Sequence, residues 1–182
     1  DDERIKLVSL SRNHGKEAAV SAGIAHASGR YMLMMDPDLQ DPPERILDFV
    51  AKIEEGWDVV YGVRESRSDG FTTRVFSRIF WAFLNGLTGL AIPKDLSVMR
   101  IFNRAFADEF LRYPERVRFI EGIFFDIGMR HTTLTVENRE RYAGVSKFNF
   151  RRRMNLALNA IIAFSDRPLR LSITAGMFLL FL

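Results

Sequence analysis

No cysteine occurs among the 182 residues. Disulfides and thiolate metal sites are therefore excluded, which suits a reducing compartment. Histidine is nearly as scarce: His14, His26 and His131 are the full set, and their positions show no ligand spacing. Internal repeats and low-complexity tracts are missing, so solenoids and disordered tails do not apply. Uninterrupted apolar runs of the ~20 residues that a spanning helix needs are missing too. The nearest approach is LSITAGMFLLFL at 171–182, uncharged and preceded by Arg167 and Arg170. Its length suits a core helix. Its basic flank suits the start of a transmembrane helix, and that second reading is the expectation adopted here. Acid is what residues 139–153 lack. There Glu140 alone faces Arg139, Arg141, Lys147, Arg151, Arg152 and Arg153, although the formal net charge of the whole chain is only +3. Such an asymmetry points to an anionic partner.

What is present is ordinary globular material, 47% hydrophobic by composition, enough for one domain with a sizeable core. IKLVSL (5–10) has the pattern of a strand, and GKEAAVSAGIAHAS (15–28) reads as an Ala-rich helix ended by Gly29. YMLMM is a fully apolar strand. Asp41 can cap a helix with Pro42 and Pro43 in its first turn and Glu44 at the capping-box position. Ile46, Leu47, Phe49, Val50 and Ile53 then recur at helical spacing until Gly56, and DVVYG (58–62) supplies a third strand. Strand, helix, strand, helix, strand predicts an α/β domain with a mostly parallel sheet covered on both faces. A helix is also expected within FTTRVFSRIFWAFLNGL (71–87), packed in the core or lying at an interface.

In open α/β sheets, ligands bind beyond the carboxyl ends of the strands. YMLMM delivers Asp36 and Asp38 to that place. Two carboxylates at one strand exit can share a hard divalent cation, with Gln40 or Asp41 as further oxygen donors; oxygen ligands without His or Cys favour Mg²⁺ or Mn²⁺. For Asp41 the simpler explanation is the helix cap. A rival chemistry places a nucleophilic Asp first in a D-x-D after four apolar residues, as in haloacid dehalogenase-type phosphatases. The direct run from Leu39 and Gln40 through DPPE into a helix weakens it.

SRNHGKEAAVSAGIAHASGRYMLMMDPDLQDPPE, followed by DVVYGVRESR, DLSVMRIFNR, RYAGVSKF and IIAFSDRPLR, resembles the family 2 glycosyltransferases that act on polyprenyl phosphates, the dolichyl-phosphate mannose synthase and undecaprenyl-phosphate sugar transferase type. The motifs occur in the family's order along nearly the whole chain. The resemblance implies a GT-A (Rossmann-like) fold, a UDP- or GDP-sugar donor, a divalent metal and an inverting transfer. It matches Asp36 and Asp38 to the metal-holding D-x-D, and Gln40 to a metal-side polar residue. By the same resemblance Asp95 is the acceptor-side acid, with Arg100 and Arg104 in support; from the residues alone, a capping loop acid explains Asp95 equally well. Arg64, just past the third strand, is placed to reach a phosphate. Arg141, Ser146 and Lys147 in RYAGVSKF combine a fork donor and a point charge near a tight backbone, and the resemblance assigns them to donor diphosphate and lipid phosphate.

The organisation expected is a partial catalytic domain at 1–150, an amphipathic juxtamembrane segment at 151–170 and the start of a transmembrane helix at 171–182. Basic residues before Leu156, Leu158, Ile161, Ile162 and Phe164 suit an anionic membrane surface, hence a membrane location with the catalytic domain on the cytoplasmic side. The family's members begin with a further strand and acidic loop, so the chain is expected to be a fragment. A homo-oligomer is compatible with this reading. Nucleic acid is not an expected partner, because the basic cluster adjoins aliphatic sequence rather than spaced aromatics. Two alternatives stand beside the lipid-linked transfer: a family 2 transferase with a saccharide acceptor, and a non-catalytic nucleotide-binding or scaffold fragment.

Overall fold

Gly15 sits at φ 92°, a left-handed conformation open to glycine, and its N–H bonds Asn13 Oδ1 at 3.0 Å. That turn launches α1 (Lys16–His26), which the Ala27 N–H closes on the carbonyls of Gly23 and Ile24. The computed structural model describes residues 2–38, 40–64, 95–113, 119–137 and 164–180, with residues 82, 85, 86, 88–90, 92, 93, 161 and 162. After α1 comes β1 (Tyr31–Met34), then a 3₁₀ turn at Pro43–Arg45 that opens α2 (Ile46–Glu54). Pro43 costs nothing there, since the first turn has no use for its missing N–H. Gly56, at φ 99°, ends the helix and leads to β2 (Val59–Arg64).

β3 (Leu96–Asn103) runs straight into α3 (Arg104–Arg112), where Asn103 Oδ1 accepts the Phe106 N–H at 2.8 Å as a side-chain cap. α4 (Ile120–Asp126), β4 (His131–Val136) and α5 (Arg167–Leu180) follow. The four strands form one sheet in the order β1-β3-β2-β4. β3 is antiparallel to both its neighbours, and β4 is parallel to β2.

The sheet is therefore mixed rather than mostly parallel by ladder. β1, β2 and β4 share a direction, as the alternation of strands and helices predicts, but β3 is inserted against them. The expected strand at 5–10 joins no ladder among the described residues. Ile5 is 78% exposed and Leu7 92%. An apolar pattern becomes a strand only where a neighbour accepts its backbone hydrogen bonds. Both faces of the sheet are covered, as expected: Tyr61, Phe102, Phe106 and Phe124 pack on one side with α3 and α4, while Val60, Met99 and Ile101 meet Phe49 and Ile53 of α2 on the other.

α5 crosses residue 170 without a break. Its 14 residues reach about 21 Å at 1.5 Å per residue, short of a hydrocarbon core of about 30 Å. Among the described residues no helix is long and apolar enough to cross a membrane. Residues 138–160 lie outside the described set, as does most of the helix expected at 71–87.

Candidate functional site

Because β3 runs against β1 and β2, its first residues lie beside their carboxyl ends. Met34 of β1 and Tyr61 of β2 both pair with Arg100, and Val63 pairs with Leu96. One end of the sheet therefore collects Asp36 and Asp38 from beyond β1, Arg64 from the end of β2 and Asp95 from before β3.

Asp36 leaves β1 half-buried and meets the first residue of α1: Lys16 Nζ lies 3.0 Å from Oδ1 and 3.2 Å from Oδ2. Asp38 folds back on its own turn, accepting the Gln40 N–H at 3.2 Å. Among the described residues no group of three or more His, Cys, Asp or Glu converges. The donor chemistry still fits Mg²⁺ or Mn²⁺, because such ions are commonly held by one or two carboxylates and completed by substrate phosphates. Asp36, Asp38 and Gln40 are the residues that would hold the ion.

Asp41 departs from the expected cap. Its side chain is fully buried, accepts the Ser97 hydroxyl at 2.5 Å, and stands 3.5 Å from Arg64 Nη2. The 3₁₀ turn before α2 carries no side-chain cap at all. A carboxylate beside a buried hydroxyl and a guanidinium gains more from them than from a solvated helix end.

The register between β2 and β3 shifts between Tyr61 and Val63. Gly62 permits the close approach: a Cβ there would sit 2.8 Å from the Met99 carbonyl oxygen. Arg100 serves the carbonyls that this irregularity frees, donating from Nη2 to Ser97 O and from Nε to Val98 O, each at 3.1 Å. Its side chain is 1% exposed, with Glu121 Oε1 at 3.8 Å and the guanidinium carbon 4.9 Å from the Phe124 ring centre. Burial lowers its pKa; the charges of Glu121, Tyr61, Asp36 and Asp41 act the other way. Arg100 thus lies beneath the site, with Asp36 and Asp41 among the acids that favour its charged form.

Arg64 and Asp95 are joined through the main chain, the Arg64 N–H donating to Asp95 O at 2.9 Å. The Arg64 side chain is 15% exposed. Arg104 is turned away, its Nη2 donating to Ala27 O and Gly29 O at 2.7 and 2.8 Å. Arg141, Ser146 and Lys147 lie outside the described residues. Sequence reasoning did not find Ser97, Glu121 or Lys16, nor the inward use of Asp41. Only Ser97 carried a signal, a small polar residue inside an otherwise apolar LSVM run.

The model of the family described as Glycosyl transferase family 2 matches residues 1–114, and the chain belongs to that family. It is 36% identical over 177 residues to the Uncharacterized glycosyltransferase YkcC of Bacillus subtilis, covering 97% of this chain and 55% of that protein. It is 37% identical over 170 residues to an undecaprenyl-phosphate 4-deoxy-4-formamido-L-arabinose transferase of Salmonella paratyphi B, covering 93% of this chain and 52% of that protein. The chain spans about half the length of the curated relatives it matches. Glucosyl-3-phosphoglycerate synthase from Mycobacterium tuberculosis, solved in complex with uridine-diphosphate, superposes with a TM-score of 0.55 at 19% identity, over 84% of this chain and 57% of that one. That likeness supports the expected GT-A architecture as a fold.

Proposed function

We propose that this chain is the core of an inverting glycosyltransferase that moves a sugar from a nucleoside-diphosphate donor to a polyprenyl phosphate, undecaprenyl or dolichyl, at the cytoplasmic face of a membrane. The observation that carries the reading is the strand register, in which Asp36 and Asp38 follow β1, Arg64 ends β2 and Asp95 precedes β3 at one end of the sheet. Carboxylates for a cation beside a guanidinium for phosphate form the donor set that a nucleoside diphosphate needs. Mg²⁺ or Mn²⁺, when bound, neutralises the charge of the departing diphosphate. Arg64, with Arg141, Ser146 and Lys147, binds donor or lipid phosphate. Asp95 orients the sugar on the acceptor side, and Arg100 sets a positive potential from below.

In the transfer, a phosphate oxygen of the lipid bonds to the anomeric carbon while the bond from that carbon to the nucleoside diphosphate breaks. Configuration inverts. A phosphate monoester with a second pKa of about 6 is already largely anionic near neutrality, so no strong base is required. The acceptor is supported by the undecaprenyl-phosphate transferase among the relatives and by α5, whose Ile173, Met177, Phe178, Leu179 and Leu180 are exposed. Residues 1–150 are the catalytic portion in this proposal, 151–170 a juxtamembrane segment and 171–182 the start of a span.

The test uses the full-length protein in membranes, with radiolabelled UDP- and GDP-sugars offered to undecaprenyl phosphate, dolichyl phosphate and free saccharides. Label in a lipid phosphate product supports the proposal and names the donor. Label confined to saccharides removes the lipid acceptor, and no transfer at all favours a non-catalytic fragment.

A further inference from the structure

Asp41 is buried without its hydrogen bonds being complete. Oδ1 receives the Ser97 hydroxyl at 2.5 Å and faces Arg64 Nη2 at 3.5 Å. Among the described residues Oδ2 has no hydrogen-bond partner, and neither has the buried Nε of Arg64. A carboxylate and a guanidinium left partly unpaired out of water cost stability, so such an arrangement is a poor structural staple. It suits a positioning device, where strain and incomplete pairing are tolerated for placement.

The direction of the network is fixed by Ser97. Its Oγ accepts the Met99 N–H at 3.1 Å, which leaves the hydroxyl hydrogen for Asp41. The irregularity between β2 and β3 holds Ser97 in place. Asp41 also follows Gln40 directly, so anchoring its side chain on β3 anchors the turn that carries Asp36 and Asp38. Arg64 is held twice, through its N–H on Asp95 O at 2.9 Å and through Nη2 on Asp41.

We infer that Asp41, fixed by Ser97, is a positioning residue that aims the Arg64 guanidinium at the donor diphosphate and keeps it in register with the Asp36–Asp38 turn. This rests on the proposed role of Arg64 as a phosphate ligand. Asp41 touches no substrate and acts through Arg64.

The test is binding of UDP and of GDP, each with Mg²⁺, to the detergent-solubilised full-length protein by isothermal titration. Donor KM and kcat are measured alongside. Asp41→Asn keeps the shape and an acceptor for Ser97 but removes the charge facing Arg64. It is expected to weaken nucleotide binding roughly tenfold and to raise donor KM more than it lowers kcat. Arg64→Gln weakens binding at least as much, and the double variant binds no worse than Arg64→Gln alone. Nucleotide binding by folded Asp41→Asn equal to wild type, or losses that simply add in the double variant, overturns the inference. Should Asp41→Asn fail to fold, Ser97→Ala carries the test: folded Ser97→Ala with unchanged binding also overturns it. If the wild type binds neither UDP nor GDP, the proposed donor class falls and this inference with it; equal binding by variant and wild type sinks the inference alone.

Discussion

Lys16 Nζ lies 3.0 Å from Asp36 Oδ1, at the point where the first helix meets the exit of β1. The pair is accessible, and exposed ion pairs contribute only about 0.2–1 kcal/mol to stability. Asp36→Asn is therefore expected to melt close to wild type while nucleotide binding in Mg²⁺ falls at least about tenfold, since the loss of even an outer-shell partner costs that much and Asp36 is proposed as a ligand. A thermal melt beside a UDP and GDP titration checks both halves. Equal loss of stability and binding would make Asp36 a structural residue.

Gly62 faces the Met99 carbonyl so closely that a methyl group has no room. Gly62→Ala should destabilise the domain by about 1–3 kcal/mol through overpacking. Denaturant unfolding monitored by circular dichroism measures it, and an unchanged midpoint would contradict the close approach.

Arg100 holds the carbonyls of Ser97 and Val98 inside the protein. Arg100→Lys gathers its donors on one compact ammonium and loses the planar fork that reaches the two carbonyls from separate nitrogens. A destabilisation of about 1–3 kcal/mol is expected from the carbonyl left unpaired. An unaltered unfolding free energy would show that Arg100 is dispensable to the irregular register.

Tyr61 is 1% exposed and its hydroxyl donates to Phe124 O at 2.9 Å. Burial raises its pKa well above the ordinary 10.0, with Arg100 opposing only in part. The unfolded chain then loses this proton first as pH rises, so the folded state holds more protons and stability falls. The contribution is intact below pH 10 and is lost progressively above it. Tyr61→Phe should flatten that alkaline decline, at a cost of about 1 kcal/mol at neutral pH for the missing hydrogen bond. Unfolding measured from pH 8 to 11 in both proteins checks the sign.

The helices α1 and α2 and the strands β1 and β2 were readable in the sequence because each follows a single periodicity bounded by Gly15, Gly56 or the two prolines. β3 was not. Arg100 in its middle and Ser97 near its start break the apolar pattern; Ser97 is held by Asp41 far along the chain, and Arg100 by carbonyls of its own strand together with Glu121 and Phe124. Missing β3 made the sheet look parallel, since β1, β2 and β4 do share a direction. The strand expected at 5–10 failed for the converse reason: its pattern was right, and among the described residues no neighbour pairs with its backbone.

The acids at the exit of β1 were legible, because a strand end is a local signal. Asp41 was not, since its partner Ser97 is 56 positions away in sequence. A residue followed by two prolines looks like a helix cap until the opposing strand is in place. Lys16 was hidden in the same manner, as one more polar residue at the start of an Ala-rich helix.

The proposed reaction is sugar transfer to a lipid phosphate at the Asp36–Asp38 turn. The measurement that tests it most directly is formation of lipid-linked sugar by the full-length protein in membranes, with Mg²⁺ removed by chelation and then restored, beside Asp38→Ala. Product is expected to disappear on chelation, to return with the metal and to be absent from Asp38→Ala. Undiminished lipid-linked product from Asp38→Ala, or product indifferent to chelation, would contradict it.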